Sequence, residues 1–286
     1  MWAFFGKFGV MNIHNTAVLH SDVVVHPDAI VGPYCSIGKG VILEKNVHLV
    51  SHVVIDQNTH LHEGVRVHPF AVLGAAPQHT GYKDEPTQLV IGKYTQIREH
   101  VTIHRGTQQG GGITCVGEFC MIMVGCHIGH DGCVGNGVIM ANNVVLGGHV
   151  EIEDTVVLGG MVAVHQMASI GKGAMIAGCS AVGGHVSPYT TAIGNRAKLA
   201  GLNLHRLRKL QMSSQEVHGL RDAYHYLFKG ENRMSLEFRI HNIPQELMQY
   251  ESVQEIKRFL STRNKVRPIC LSDQSNCSND TLKATF

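Results

Sequence analysis

Residues 116–181 read VGEFCM-IMVGCH-IGHDGC-VGNGVI-MANNVV-LGGHVE-IEDTVV-LGGMVA-VHQMAS-IGKGAM-IAGCSA, and this stretch decides the fold. Every sixth residue, from Val116 to Ile176, is large and apolar, and the residue four places later is small or β-branched, as at Cys120 and Val138. A period of six matches neither the ~3.6-residue turn of an α-helix nor the two-residue alternation of a half-buried strand. A short fixed repeat indicates a solenoid in which each unit adds one strand and one turn. We therefore predict an all-β solenoid, a parallel β-helix of hexapeptide repeats.

Three units close one triangular coil of eighteen residues, and the coils stack at the strand spacing of roughly 4.8 Å. A single coil buries almost nothing, so only the stack is stable. The repeat begins at Ile13 and keeps step to Leu73, and after each of two interruptions it resumes. We predict that the interruptions, residues 74–90 and 104–115, are surface loops, which is where binding and catalytic residues often lie.

The chain divides by pattern into four segments. We predict an N-terminal extension over 1–12, the β-helix over 13–187, a helical C-terminal domain over 188–266 and a disordered tail over 267–286. The helical assignment rests on apolar residues that recur at helical spacing beyond Ser187-Pro188. The tail is rich in Ser, Asn and Asp, a composition that buries little apolar surface.

Composition excludes several classes of protein. A formal charge of +2 with 16% charged residues does not suggest a nucleic-acid binder. No apolar run approaches the roughly 18 residues of a membrane-spanning helix, and the N-terminus lacks the parts of a signal peptide. The eight cysteines include no CxxC pair, and Cys35, Cys120 and Cys126 fall at the small inward position of the repeat. We therefore expect a cytoplasmic protein without stable membrane insertion or a disulfide framework.

Twenty histidines occur in the chain, and four of them gather where the repeat fixes their geometry. Adding one coil of eighteen residues to His130 gives Gly148, and a second coil gives Gln166. These three residues are expected to stack in one column on successive coils. The other histidines of this cluster are His127, His149 and His165.

The column has the parts that acyl transfer needs. His130 can act as general base because imidazole titrates near neutral pH. Asp131 can orient its ring and stabilise the imidazolium. Gly148 leaves a backbone N–H open to an oxyanion, and Gln166 can bind substrate.

The residues alone leave other interpretations open. Four histidines can gather by chance in a His-rich chain, and a hexapeptide scaffold would need no catalytic group. A zinc enzyme of carbonic-anhydrase type requires three converging histidine nitrogens. The short spacing between His127 and His130 allows such a site without favouring it.

Longer motifs carry a resemblance to one family. IREHVTIHRGTQQGGG (97–112), HIGHDGCVGN (127–136), MANNVVLGGHV (140–150), LGGMVAVHQ (158–166) and SPYTTAIGN (187–195) resemble the acyl-[acyl carrier protein]–UDP-N-acetylglucosamine O-acyltransferases of lipid A synthesis. The resemblance runs from about Ile13 to about Leu260. It implies a homotrimer of left-handed β-helices with helical C-terminal bundles and active sites between subunits. It also implies acyl carrier protein and UDP-N-acetylglucosamine as partners, with no metal or other cofactor.

The resemblance assigns roles to residues. It makes His130 the base that activates the glucosamine 3-hydroxyl, Asp131 its orienting group and Gly148 the oxyanion donor. The residues that match substrate contacts of the family are His127, His149, His165 and Gln166, with Asn203 and Lys209 at the nucleotide and Gly178 at the end of the acyl chain.

One loop departs from the family pattern PQDLKY. This chain reads PQHTGYK over 77–83, so Gln78 matches, whereas His79 replaces the acid and Gly81 the lysine. We expect Gln78 and Lys83 to contact the sugar nucleotide, with Lys83 in place of the missing lysine. The departure leaves a related N-acyltransferase with an amino-sugar acceptor open, although that enzyme normally carries a domain before its repeats.

Basic residues follow the last coil. A positive cluster is usually a solvated surface, but acyl carrier protein is strongly acidic and must dock near the site. We predict that Arg196, Arg206 and Arg208 contribute to that docking.

Overall fold

The computed structural model describes residues 12–229, 234–263 and 266–272. Its strands, most of them two residues long, are β1 (Asn12–Ile13), β2 (Val18–Leu19), β3 (Val24–Val25), β4 (Ile30–Val31), β5 (Ser36–Ile37), β6 (Ile42–Leu43), β7 (His48–Leu49), β8 (Val54–Ile55), β9 (Thr59–Leu61), β10 (Arg66–Val67), β11 (Val72–Ala75), β12 (Gln88–Ile91), β13 (Gln96–Ile97), β14 (Thr102–His104), β15 (Ile113–Val116), β16 (Met121–Ile122), β17 (His127–Ile128), β18 (Cys133–Val134), β19 (Ile139–Met140), β20 (Val145–Leu146), β21 (Glu151–Ile152), β22 (Val157–Leu158), β23 (Ala163–Val164), β24 (Ser169–Ile170), β25 (Met175–Ile176), β26 (Ala181–Val182), β27 (Thr190–Ile193) and β28 (Lys198–Leu202).

The strands form three sheets, parallel except for the last pair of the first sheet, and these sheets are the faces of a triangular solenoid. The order is β1-β4-β7-β10-β13-β16-β19-β22-β25-β27-β28 in the first sheet, β2-β5-β8-β11-β14-β17-β20-β23-β26 in the second and β24-β21-β18-β15-β12-β9-β6-β3 in the third. From β1 to β26, each strand pairs with the third strand along the chain, as His127 pairs with Val145 and Val145 with Ala163. The repeat of eighteen residues per coil is therefore confirmed, and the solenoid is a left-handed parallel β-helix.

Both inward positions of the hexapeptide fill the core. From Val31 onward the sixth-residue side chains, such as Ile128 and Leu146, are buried, and so are residues four places on, such as Val138. Cys35, Cys120 and Cys126 are likewise buried, as predicted for small apolar residues. Removing one such side chain, for example Leu146→Ala, is expected to cost about 2–5 kcal/mol, because neighbouring coils hold the cavity open.

Two segments leave the coils and return in register. Residues 76–87 connect β11 to β12, and residues 105–112 connect β14 to β15. β11 still pairs with β14, and β12 with β15, so the loops do not interrupt the stack. They project from consecutive coils, which brings them together on the surface.

The β-structure extends to Leu202, beyond the predicted start of the helical domain at residue 188. The strand β27 pairs with β25 and then, in antiparallel fashion, with β28, so the helices begin only at Leu204. The helical elements are α1 (Leu204–Lys209), α2 (Ser214–Tyr224), a π-helical turn (His225–Lys229), α3 (Leu236–His241), a 3-10 turn (Leu247–Gln249) and α4 (Glu251–Thr262). The antiparallel pair extends the first sheet, and β28 packs against α2.

Part of the predicted tail is ordered. His185 donates its N–H to the Pro268 carbonyl at 2.8 Å, and Cys270 donates to the His185 carbonyl at 2.8 Å. Residues 266–272 therefore pack on the last coil, whereas residues 273–286 and nearly all of the predicted extension over 1–12 lie outside the described residues. Within the described ranges, no helix combines the length and apolarity required to cross a bilayer.

Candidate active site

The predicted column of His130, Gly148 and Gln166 lies at the turns that follow β17, β20 and β23. His149 donates its N–H to the His130 carbonyl at 2.9 Å, and Met167 donates to the Gly148 carbonyl at 2.9 Å. A Cβ added to Gly148 would lie 2.7 Å from Cε1 of His130. The imidazole of His130 therefore lies directly over Gly148, in space that only a glycine leaves open.

His130 is paired with the residue that follows it. Its Nδ1 lies 2.7 Å from Oδ2 of Asp131, and the side chains are 13% and 1% exposed. Asp131 adopts the left-handed conformation at φ 59°, which allows its carboxylate to reach back to the preceding ring. Because Nδ1 is engaged with a carboxylate, the neutral ring carries its proton there and Nε2 is available as a base.

The loop over 105–112 fixes the carboxylate of Asp131. Thr107 donates its backbone N–H to Oδ1 at 2.7 Å and its hydroxyl to Oδ2 at 2.8 Å. Asp131 in turn donates its N–H to the hydroxyl of Thr114 at 2.8 Å. A Cβ at Gly110 would meet Cγ of Asp131 at 2.1 Å, so the loop backbone presses against the carboxylate. Sequence reasoning missed Thr107, and the only signal was its place in the motif over 97–112.

Two histidines next to this pair, the buried His104 and the partly exposed His127, are neutral near pH 7. Burial, followed by the positive charges of His127 and His130, lowers the pKa of His104 to about 4. Burial, followed by the charge of His130, lowers the pKa of His127. His127 Nδ1 lies 2.8 Å from the hydroxyl of Thr102, and the rings of His104 and His127 meet edge to face at 4.9 Å. Of these three histidines, only His130 pairs with a carboxylate.

The loop over 76–87 is held beside His130 by a buried arginine. Arg105 is 2% exposed and donates to the Tyr82 hydroxyl at 2.9 Å and to the Gly74 carbonyl at 2.6 Å. The ring of His79, on the same loop, lies edge to face with His130 at 5.4 Å. Sequence reasoning did not assign Arg105 a role, because burial of a charged residue cannot be inferred from the hexapeptide pattern.

Several predicted residues line the surface around the column. Gln78 and Lys83 are exposed on the loop over 76–87. His149 is 32% exposed, with Nε2 3.6 Å from Oδ2 of Asp131. His165, Gln166 and Arg196 are exposed and line a cavity of about 480 Å³ with apolar residues of the second sheet, including Val145, Ala163 and Ala181.

The chain does not bring the remaining predicted residues to this column. Gly178 follows β25 of the first sheet and therefore lies at a different corner of the solenoid from His130. Asn203 is buried, donates its amide to the Gly173 carbonyl at 2.9 Å and caps α1 by accepting from the Arg206 N–H. Arg206 also donates to the Thr155 carbonyl at 2.5 Å, whereas Arg208 and Lys209 are exposed.

The zinc alternative needs three histidine nitrogens that converge. Among the described residues of this cluster, the groups that converge are His130, Asp131 and His149, so a carboxylate occupies the third position. The oxygens of that carboxylate already accept from His130 and twice from Thr107. This donor set fits an oriented base better than a three-histidine metal site.

Comparison with known proteins identifies the family. A family model described as UDP-N-acetylglucosamine O-acyltransferase, domain 2, matches residues 186–270. The chain is 42% identical over 264 residues to an acyl-[acyl-carrier-protein]–UDP-N-acetylglucosamine O-acyltransferase of Caulobacter vibrioides, which covers 92% of this chain and 99% of the relative. The chain belongs to this O-acyltransferase family. The resemblance seen in the sequence is thus confirmed.

Solved structures of the O-acyltransferase family have the same fold. The UDP-N-acetylglucosamine acyltransferase of Francisella novicida superposes with a TM-score of 0.87 at 33% identity, covering 96% of this chain and 98% of that one. LpxA from Acinetobacter baumannii gives a TM-score of 0.87 at 35% identity, covering 91% of this chain and 99% of that one. The similarity therefore extends through both the β-helix and the helical segment.

Proposed function

We propose that this enzyme transfers a 3-hydroxyacyl chain from acyl carrier protein to the glucosamine 3-hydroxyl of UDP-N-acetylglucosamine, the first step of lipid A synthesis. Membership of the O-acyltransferase family supports the reaction. The observation that carries the mechanism is the contact of 2.7 Å between His130 Nδ1 and the buried carboxylate of Asp131. It prepares Nε2 of His130 to accept a proton.

In the proposed first step, Nε2 of His130 removes the proton of the 3-hydroxyl while the oxygen attacks the thioester carbonyl. Asp131 stabilises the imidazolium that forms, without itself taking the proton. Collapse of the tetrahedral intermediate breaks the C–S bond, and the imidazolium returns its proton to the departing thiolate. General base catalysis of this kind contributes about 10²–10⁴-fold to a rate.

Gly148 is the proposed donor to the oxyanion. Within the described part of the chain its N–H has no hydrogen-bond partner, although those of Gly147 and His149 on either side are bonded. The lack of a side chain allows the carbonyl of a substrate to approach that N–H next to the His130 ring. A donor aimed at developing charge is worth about 10²–10³-fold.

The other assigned residues fit a homotrimer with sites between subunits, which we propose for this chain. In one chain Gly178, Asn203 and Lys209 are remote from the His130 column, so a neighbouring subunit would have to supply them. The residues we assign to substrate contact on the same chain as His130 are Gln78, Lys83, His127, His149, His165 and Gln166.

The cavity beside Gln166 is the proposed entrance for the acyl chain. Its lining is mainly apolar, and Arg196 stands at one side of it. An acidic carrier protein would dock through Arg196 and Arg208, which are exposed, with Arg206 contributing less because it is bonded to the Thr155 carbonyl. Since carrier protein and nucleotide sugar are cytoplasmic substrates, we propose a cytoplasmic enzyme.

Mass spectrometry of the products tests this function. The purified protein is incubated with 3-hydroxyacyl carrier proteins of several chain lengths and with either UDP-N-acetylglucosamine or its 3-amino analogue. We expect one O-acylated product, no product from His130→Ala, and normal turnover from the exposed control His14→Ala. Acylation of the amino sugar alone would establish the N-acyltransferase instead. Equal turnover by wild type and His130→Ala would exclude His130 as the base.

A further inference from the structure

Two cysteines face each other across adjacent coils, next to the catalytic column. Cys115 on β15 pairs in register with Cys133 on β18, and their Sγ atoms are 2.8 Å apart. Cys133 is exposed and Cys115 is partly exposed, so the pair lies on the outer face of the third sheet. Both thiols are free in the structure, and Cys133 is only three residues after His130.

The two thiols differ in chemistry because they share one hydrogen bond. Donation from the Cys115 thiol lowers the pKa of Cys133 to about 7. The same interaction, together with burial, raises the pKa of Cys115. At neutral pH the exposed partner is therefore substantially thiolate, which is the form that attacks a disulfide.

The backbone geometry suits a bond between them. Directly paired residues on neighbouring strands are separated by about 4.7–4.9 Å, and disulfides join Cα atoms that are about 4.4–6.8 Å apart. The Sγ atoms need only approach from 2.8 Å to the bond length of about 2.05 Å. No backbone rearrangement beyond a small local movement is required.

We propose that Cys115 and Cys133 form a redox-active dithiol that low-molecular-weight disulfides, such as oxidised glutathione, convert to an intrachain disulfide. The Cys133 thiolate attacks one sulfur of the small disulfide, which breaks its S–S bond and releases one thiol. Cys115 then loses its proton and attacks the Cys133 sulfur of the mixed disulfide, which releases the second thiol. In total the protein loses two electrons and two protons, and one small disulfide becomes two thiols.

The bond would act on the catalytic pair through Thr114. A disulfide holds Cβ atoms about 3.8 Å apart, closer than the strand spacing, so its formation draws β15 toward β18. Thr114, which precedes Cys115, accepts the backbone N–H of Asp131 at 2.8 Å and would move with it. Since a displacement near 1 Å can cost about 10²-fold in rate, we expect oxidation to reduce turnover at least about 10-fold. This part of the inference rests on the proposed function.

The test oxidises the assembled full-length protein with glutathione disulfide and follows intact mass, disulfide peptides and turnover. Wild type is expected to yield a Cys115–Cys133 linked peptide that is two hydrogen atoms lighter than the two free peptides together, to lose turnover and to recover it with reductant. Cys115→Ser should stop at a mixed disulfide on Cys133. Cys133→Ser should form neither the mixed disulfide nor the intrachain disulfide. Cys179→Ser, which removes an exposed cysteine elsewhere, should behave as wild type.

Each measurement has an outcome that overturns the inference. Retention of both thiols in wild type under conditions that modify Cys179 would refute the dithiol. Formation of the linked peptide with unchanged turnover would refute its coupling to Asp131. Failure of the proposed function is recognised separately, because reduced wild type would then be inactive while the thiol chemistry proceeds.

Discussion

Nδ1 of His130 lies 2.7 Å from Oδ2 of Asp131, and the aspartate side chain is almost completely buried. The pair is contiguous in sequence, yet its geometry depends on a tight turn that holds Asp131 at a positive φ of 59°. The carboxylate is then fixed from outside the coil by Thr107. The catalytic pair is thus positioned by two parts of the chain, the turn of the hexapeptide repeat that contains it and the inserted loop over 105–112.

Thr107→Val should reduce kcat and leave KM nearly unchanged. The substitution removes the hydroxyl donor to Asp131 but retains the backbone donor, and one hydrogen bond to a charged group is worth about 1.5–3 kcal/mol. We therefore expect a fall of at least about 10-fold, measured by steady-state kinetics. Thr107→Ser, which retains the hydroxyl, should recover most of the activity. An equal loss in both variants would mean that Thr107 only supports the loop.

Gly148→Ala should nearly abolish turnover in a folded protein. The new Cβ would lie 2.7 Å from His130 Cε1 and must displace the ring from the space where substrate is attacked. A fall of about 10²-fold or more is expected. Gly160 occupies the same place two hexapeptides further along the chain, where the nearest atom to an added Cβ is 3.5 Å away, so Gly160→Ala is the matched control. Similar losses in the two variants would show that alanine disrupts the turn itself.

Lys83→Ala should raise KM for the sugar nucleotide and change kcat little. The side chain is exposed on the loop that places His79 beside His130, and Lys83 has no part in the proposed proton transfer. Loss of one charge-assisted contact predicts a rise of about 10-fold. Lys93→Ala, an exposed lysine outside that loop, is the control. If KM for the nucleotide is unaltered, Lys83 does not replace the lysine absent at Gly81.

Arg208→Glu should raise KM for the acyl carrier protein, more strongly at low ionic strength than at high. Exposed charges act over about 10 Å at 0.1 M salt and over a shorter range as salt increases. Arg208 is the better test residue than Arg206, which is tied to the Thr155 carbonyl. Lys45→Glu, near the opposite end of the stack, makes the same charge change as a control. Kinetics of Arg208→Glu that do not depend on salt would argue against docking at α1.

The repeat predicts the solenoid and the column but not the environment of the column. Periodicity of eighteen residues places His130 over Gly148, because stacked coils are in register. It cannot place Thr107 or Arg105, which belong to inserted segments without a period. It also cannot show that the side chain of Asn203 caps the N-terminus of α1, since capping depends on where the helix begins. The helices begin later than the loss of the repeat suggested because residues 188–202 continue the first sheet.

Protonation of His104 should destabilise the fold below neutral pH. Its pKa falls from 6.5 to about 4 on burial, so between these values the unfolded chain binds more protons than the folded one. This contribution to stability is therefore fully present above pH 6.5 and falls as the pH decreases toward 4, by on the order of 2 kcal/mol between pH 7 and pH 5.

Urea unfolding at fixed protein concentration measures this fall. In His104→Gln, the fall in unfolding free energy between pH 7 and pH 5 should be smaller than in wild type by about 2 kcal/mol. His14→Gln, at an exposed turn, should show the same fall as wild type. His127 has a pKa shifted in the same direction and remains in all three proteins, so the difference between their slopes isolates His104. Parallel pH dependence in wild type and His104→Gln would show that His104 is not held neutral by burial.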